Sequence, residues 1–599
     1  MNTSSTSHAW ANLIQHHEKY GDLSLSERFN TNYGRAEQLS FSCGDLWIDV
    51  SKQLLEVETT ELLFELAEER EVSRFFDDMF KGRVVNFSEK QRALHIYLRD
   101  PKIYKSNEMF GDVSEEAHEN LERMKELAEK LENGLLVGAT GKQIRSVVNL
   151  GIGGSHLGPF MAFEALKRYV NPELEVRWSS GLHEEELEDA LKGLDPEETI
   201  IIICSKTFKT AETLRAAEDC KEWLKEGIEQ AKWDIGMETP LREEYSNDDE
   251  WSEQLEPNPT LSSHMFAATS IPKNALAFGI GQVNIFRFSE TIGGRFSLAS
   301  PVSLGLILSI GYENFRSMLD GMHLIDEHVR ENQRNVPLLL GLIDVWNRSI
   351  LGLNSLAVVP YSYRLRKLVP YIQQLMMESL GKSVSRKGER LGLETGGAVW
   401  GASGTDAQHS FFQLLHQGTE SIPIDLIGFA LPGPFETEVE NLEFVEDHQL
   451  IANLIAQAKV LAFGNSLEEH FDPHLEFKIV PGNKPSTVIL APELSPSILG
   501  QLVALYEHRT IAVGAIWGIN PFDQWGVELG KKAALQITDE LRPENWDLHG
   551  LGRWEGLDHT VIAEYGGVGL DHDSSTNSLM TRYMGWFYSL KTRYRNGPI

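Results

Sequence analysis

Cysteine is scarce in this chain, with three residues in 599, at Cys43, Cys204 and Cys220. An odd, sparse set without CxxC spacing gives neither a disulfide framework nor a cysteine zinc site. Positive charge is also short: 55 Lys and Arg stand against 88 Asp and Glu, a formal charge of −33. No basic run compensates locally, so a nucleic-acid backbone is excluded as a partner. Long apolar runs are missing too. Segments 301–310 and 336–345 are broken by polar residues before they reach bilayer length, so no membrane span is expected. The opening Met1–His17 stretch, MNTSSTSHAWANLIQHH, lacks a basic segment followed by an apolar one, so no secretory signal is expected and the cytoplasm is the expected location.

What is present describes a globular protein. Thirteen Trp and 27 Phe supply large core residues, and the length calls for more than one core. The acidic balance sets a condition on any phosphorylated ligand. Its site needs locally positive groups that overcome the global field.

The first third is helix-rich. Ser114 is the expected N-cap of a helix with Glu115 and Glu116 in its first turn, an apolar face of Ala117, Leu121, Met124, Leu127 and Leu131, and a C-terminal cap at Asn133-Gly134. From Ser146 the pattern alternates. Short apolar strands are expected at 147–150, 199–204 and 265–268, with an amphipathic helix running through Phe160, Met161, Phe163, Ala165 and Leu166. A second cycle predicts strands at 356–359, 424–429 and 487–491, and a long helix over 364–380 that Pro370 kinks or restarts. The fold class is therefore α/β, with two tandem doubly wound domains, mostly parallel sheets, and helical N- and C-terminal elaborations. The expected boundaries are a helix-rich segment 1–145, a first domain 146–330 with an acidic insertion near 225–262, a second domain 331–535, and an extension 536–599. A Gly- and Trp-rich excursion at 542–569 carries no visible site chemistry.

Two strand-to-helix turns are rich in donors. In Gly151-Ile-Gly-Gly-Ser-His-Leu-Gly158 the glycines let backbone N–H groups approach an anion at a helix N-terminus, although any tight turn also needs glycine. The pattern is not GxGxxG, because His156 stands at the third Gly, and it lacks a P-loop's Lys-Ser/Thr ending. Ser205-Lys-Thr-Phe-Lys-Thr210 offers three hydroxyls, two ammoniums and no carboxylate, which suits phosphate oxygens as well as a plain polar turn. Gln374 and Glu378, four apart, share a helix face; Met376, Met377 and Gly381 point to partial burial, as a general base requires, whereas a solvated Glu is the bland alternative. His409 follows a Gly-rich loop after Trp400. With no second His or Cys at close ligand spacing, zinc is not expected there.

Taken together these segments resemble the glucose-6-phosphate isomerase family. Glu290-Thr-Ile-Gly-Gly-Arg-Phe-Ser297 and Phe522-Asp-Gln-Trp-Gly-Val-Glu-Leu-Gly-Lys531 are similar to its two signatures, with Gln373-Gln-Leu-Met-Met-Glu-Ser379 and the 400–409 block between them in family order. The likeness resumes at His572-Asp-Ser-Ser-Thr-Asn577. The resemblance implies two sugar-isomerase (SIS) domains and reversible interconversion of glucose 6-phosphate and fructose 6-phosphate, in glycolysis and gluconeogenesis, with no cofactor and no metal. It implies Glu378 as the base that forms a cis-enediol and Arg295 as the group that stabilises its charge. His409 and Lys531 would open the ring, and Gln374 and Gln524 would bind sugar hydroxyls. Ser205, Lys206, Thr207 and Thr210 would hold the phosphate, with Gly154 and Ser155 beside the sugar. It further implies a homodimer in which His409 enters the partner's site. Leu375-Met376, Asp406-Ala407 and His156 depart from patterns common in the family. A bifunctional glucose/mannose-6-phosphate isomerase would carry the same catalytic set, whereas a non-catalytic SIS regulator would need only the phosphate turn.

Overall fold

The strand signal is strongest where β-branched residues run unbroken, and at those places the observed strands match the expected ones. A computed structural model describes residues 7–100, 111–234, 259–430, 445–467 and 476–540. The chain forms two units, 1–523 and 524–599.

In the first unit, β1 (Ser40–Cys43) and β2 (Leu46–Lys52) make an antiparallel hairpin, and β3 (Val84–Asn86) and β4 (Gln91–Arg92) a second, shorter one. A five-stranded sheet follows from β5 (Ser146–Gly151), β6 (Glu175–Ser179), β7 (Thr199–Cys204), β8 (Met265–Thr269) and β9 (Ile285–Arg287). Its order is β6-β5-β7-β8-β9, parallel throughout. The other large sheet adds β10 (Ser355–Pro360), β11 (Ala398–Trp400), β12 (Ile424–Phe429) and β13 (Ser486–Ala491) to the first hairpin, in the order β1-β2-β13-β12-β10-β11. Strands β10 to β13 are parallel, while β2 joins β13 antiparallel. The fold is thus α/β with two mostly parallel sheets. Residues 40–52, within the segment expected to be helix-rich, extend the second sheet.

In the first sheet the chain leaves β5 for β6 on one side and then crosses to β7 on the other. The C-terminal ends of β5 and β7 therefore flank a topological switch point, where ligands of doubly wound sheets collect. The register pairs Gly151 with Cys204, so the two donor-rich turns leave the sheet at the same level.

Helix Pro496–Trp517 forms the centre of the unit, and nearly every residue in it is buried. It packs against Tyr312–Glu331 and Val336–Val345 at close range, because Gly500, Gly321 and Gly341 stand where a side chain would strike a neighbouring backbone. Its interior charges are paired. Arg99 bridges Asp326 and Glu507, and His508 Nε2 lies 2.6 Å from Asp326. Arg509 holds both oxygens of Asp344 at 2.6 Å and Asp425 at 2.6 Å. Among the described residues no helix is long and apolar enough to cross a membrane. Cys43, Cys204 and Cys220 are buried and unbridged, and burial pushes their thiols up to about 12.

Four local expectations are corrected. The first-third helix spans Gly111–Glu132, so Ser114 lies inside it rather than capping it, whereas its C-terminal end is as expected, with Gly134 at φ 66°. Helix Leu157–Ala165 is not amphipathic but buried on almost every side, since it is covered by helices Leu304–Ile310 and Leu368–Gln373. Helix Ala211–Asp234 runs on into the expected insertion, whose remainder at 235–258 lies outside the described residues, as do 542–569 and 572–577. The expected helix over 364–380 is three pieces: a 3₁₀ turn Tyr363–Leu365, an α-helix Leu368–Gln373 and a π-turn Gln374–Glu378. Pro370 sits in the first turn of the α piece, where a missing N–H costs nothing, so it marks a restart.

Candidate active site

The site is assembled from turns at the C-terminal end of the first sheet. After β7, residues 205–210 are bent by Phe208, which takes a left-handed φ of 49°. Two of their carbonyls are occupied elsewhere. Lys206 O accepts from Ser270 N at 2.9 Å, Ser270 Oγ at 2.6 Å and Thr269 Oγ1 at 3.0 Å, and Thr207 O accepts from Asn274 at 2.7 Å. Ser205 Oγ and Thr210 Oγ1 are 3.3 Å apart, spanning the mouth of the turn. With these two carbonyls tied back to the segment after β8, the loop keeps its hydroxyls and ammoniums for an anion. Burial lowers the Lys206 ammonium from its ordinary value, opposed by the charges of Glu89 and Glu290.

After β5, Gly153–Ser155 form a single 3₁₀ turn. Gly154 touches the backbone of Gly294: a Cβ there would lie 2.2 Å from Gly294 C. Ser297 Oγ also donates to Gly154 O at 3.3 Å. This contact seats the 294–296 turn, and with it Arg295, against the β5 turn. Gly153, at φ 57°, faces Gln374, whose Nε2 would be 3.4 Å from a Cβ.

Arg295 is 2 % exposed, and bonds to Ser379, Glu378, Pro521 and Asp523 are among those that fix it. Nε donates to Ser379 Oγ at 2.6 Å, Nη1 to Glu378 Oε2 at 3.2 Å, and Nη2 to Pro521 O at 2.6 Å and Asp523 O at 3.1 Å. Burial lowers the guanidinium from its ordinary value, and the carboxylates of Glu378 and Asp523 pull it back. The π-turn brings Gln374 and Glu378 to this point. Its wider backbone spacing is a feature that gathers at functional sites. Leu375 and Met376, which depart from the common family pattern, are buried in the core on the far side. His156, the other departure beside the sugar turn, sits in an aromatic cluster, 5.0 Å from Phe160 and 6.2 Å from Trp178. Burial lowers its imidazole from the ordinary value.

The structure therefore gathers Gly154, Ser155, Ser205, Lys206, Thr207, Thr210, Arg295, Gln374 and Glu378 along one sheet end and its neighbouring turn. His409 is not part of this group. Its ring is exposed at the end of helix Gly404–Gln408 and makes no side-chain hydrogen bond among the described residues. Gln524 and Lys531 belong to the second unit, where Lys531 lies on helix Trp525–Glu540 with its ammonium 3.1 Å from Glu528. Sequence reasoning missed Ser379, Lys382, Asp523, Asn520 and Ser88, which hold the Glu378–Arg295 pair from behind. The local signals were that Ser379 and Lys382 stand one and four residues after the expected base, and that Asp523 lies within the 522–531 signature.

Fold and site are those of a doubly wound α/β protein with its donors at strand C-termini. Within that class the chain belongs to the phosphoglucose isomerase family, whose model matches residues 49–580. The glucose-6-phosphate isomerase 1 of Streptomyces avermitilis is 42% identical over 558 residues, covering 90% of this chain and 95% of its own. The glucose-6-phosphate isomerase 1 of Rhodococcus jostii is 40% identical over 543 residues, covering 89% and 93%. A crystal structure of a glucose-6-phosphate isomerase from Chlamydia trachomatis superposes with a TM-score of 0.74 at 29% identity, covering 92% of this chain and 99% of that one.

Proposed function

We propose that this chain interconverts glucose 6-phosphate and fructose 6-phosphate, with Glu378 as the base and Arg295 as the fixed positive charge beside it. The observation that carries the assignment of roles is the Glu378–Arg295 pair itself, 3.2 Å apart, with the guanidinium buried and the carboxylate partly open. A carboxylate that takes a proton from carbon beside a fixed cation is what an enediolate needs.

The 6-phosphate is held by Ser205, Lys206, Thr207 and Thr210, with Gly154, Ser155, Gln374 and Gln524 along the sugar. His409 and Lys531 pass the proton that opens the ring. Glu378 then takes the proton from C2, leaving its electron pair in the C1–C2 double bond of a cis-enediolate whose charge faces Arg295. Returning that proton to C1 gives the ketose. The net change moves hydrogen from C2 to C1 and from O2 to O1, so no electrons leave the substrate and no redox cofactor is called for. The exposed His409 suits a homodimer in which each subunit lends this ring to its partner's site, and the expected setting is the cytoplasm.

The test is a coupled assay on metal-stripped protein, following glucose 6-phosphate formed from fructose 6-phosphate. Glu378→Gln is expected to lose about 10²–10⁴-fold in kcat while binding glucitol 6-phosphate, which has no carbonyl, as the unaltered chain does. Near-normal turnover by Glu378→Gln would remove it from the base's role.

A further inference from the structure

Lys382 ends four residues after Glu378 in a cage of oxygens. Its Nζ lies 3.0 Å from each of the carbonyl oxygens of Glu378, Ser379, Asn520 and Asp523, and 3.2 Å from Asp523 Oδ1. An ammonium has three N–H bonds, so five oxygens at this range share them as ligands share a small cation. Two of the carbonyls terminate the π-turn that carries Glu378, and two belong to the 520–523 loop. That same loop supplies Pro521 O and Asp523 O to Arg295. Arg295 and Lys382 thus dock on one stretch of backbone, and both bond to Asp523 O.

The loop is braced from its outer side. Asn520 Nδ2 donates to Asn86 Oδ1, Ser88 Oγ and Asp523 Oδ2, each at 2.9 Å, and Ser88 Oγ donates to Asp523 Oδ2. The Lys382 side chain is 17% exposed and that of Asp523 is 7%. Among the described residues, every bond that the ammonium makes goes to the π-turn and its cap or to this loop.

We propose that Lys382 is a positioning residue for the isomerisation: its ammonium acts as a built-in cation that locks the π-turn to the 520–523 loop and so sets the separation of Glu378 from Arg295. This rests on the roles given above to Glu378 and Arg295. Lys382 acts through them, because its contacts are with backbone carbonyls and Asp523. Burial lowers its ammonium from the ordinary value, with Arg295 pushing the same way and Asp523 and Glu378 opposing. Such a charge is held in place by its oxygens and is costly to leave uncompensated.

The experiment compares Lys382→Met, which keeps the stem, with Lys382→Ala, which empties the cage. Both are expected to lose on the order of 10²-fold in kcat, the scale set by misplacing a reacting group by about 1 Å. Affinity for glucitol 6-phosphate should stay within a few-fold, since the phosphate turn is untouched. Methylammonium should restore kcat to Lys382→Ala in a saturable way, while tetramethylammonium, which has no N–H, should not. A purely structural lysine would not give that cation-selective rescue. Variants that turn over like the unaltered chain, a parallel loss of inhibitor affinity, absence of rescue, or failure of both variants to fold each overturn the proposal. An unaltered chain that is itself inactive on fructose 6-phosphate would instead count against the functional reading on which it rests.

Discussion

Adding one methyl group at Gly154 should disable the enzyme without touching any group that carries charge. An ideal Cβ at Gly154 lies 2.2 Å from Gly294 C, 2.4 Å from Gly294 O and 2.6 Å from Gly294 Cα, whereas real Cβ contacts essentially never fall under 3.0 Å. All three atoms are backbone, so no rotamer change relieves the clash. The 294–296 turn must retreat by roughly 1 Å, and a shift of that size at a reacting group costs on the order of 10²-fold in rate. Arg295 follows Gly294 directly, so the retreat opens its contact with Glu378. Gly158→Ala is the matched control in the same segment. Its Cβ meets Tyr371 Cε2 at 3.5 Å, Leu298 Cβ at 3.6 Å and Tyr371 Cδ2 at 3.7 Å, all ordinary contacts, and alanine suits a helix better than glycine. The assay is steady-state conversion of fructose 6-phosphate, with circular dichroism to confirm folding. Gly154→Ala should lose about 10²-fold in kcat, and Gly158→Ala should stay near the unaltered chain. A folded Gly154→Ala within three-fold of normal, on the scale of about 10²-fold expected, refutes the argument from the Gly154–Gly294 contact.

Lys206 carries a pH prediction. Its ammonium is the form that holds a phosphate dianion, and burial lowers its folded-state value, so affinity for glucitol 6-phosphate should fall with rising pH before the ordinary lysine range is reached. Titration calorimetry across alkaline pH should show this limb vanish, at lower affinity throughout, in Lys206→Met; an unchanged limb assigns it to another group. Arg99→Leu should destabilise the fold by about 3–5 kcal/mol, because it leaves Asp326 and Glu507 buried without their partner. Differential scanning calorimetry should record a melting temperature lower by several degrees, and an unmoved transition contradicts the pairing. Co-expressing His409→Ala with Glu378→Gln tests the shared site. In a two-fold dimer that lends His409 across the interface, random pairing restores about a quarter of normal activity, whereas sites complete within one subunit stay dead.

The sequence made the repeated strand–turn–helix units plain where burial is two-sided. β7 falls on the expected residues because a strand covered on both faces reads as an unbroken apolar run, and β12 does so although Asp425, the buried partner of Arg509, interrupts it. β6 was missed because only its last residue is fully buried, and β9 and β11 because each has three residues. β2 was missed because Asp49 and Ser51 interrupt its apolar pattern and its second edge pairs only with the distant β13; the two-residue Gly44-Asp45 turn that joins it to β1 was its local signal. The same distinction runs through the site. Glu378, Arg295 and the phosphate turn stand inside compact motifs. Of the groups that fix the Glu378–Arg295 geometry, Ser379 and Lys382 follow Glu378 closely, but Ser88 and 520–523 lie far apart in the chain, and no spacing rule joins them. The π-turn also left no mark, since a 4-residue repeat of Gln374 and Glu378 reads as ordinary α-helix.

The antiparallel pairing of β2 with β13 sets a schedule for the newborn chain. Gln53 bonds to Thr487 across 434 residues, and at about 5–20 residues per second that interval is roughly 20–90 s of synthesis. Throughout it the β1–β2 hairpin has emerged while the strand it must join does not yet exist. One edge of the hairpin, with Leu46, Ile48 and Val50 destined for full burial, waits unpaired. Such an edge invites pairing with other chains. The second sheet is therefore completed late, and the yield of folded protein should depend on how well the cell shields the β1–β2 hairpin until β13 arrives.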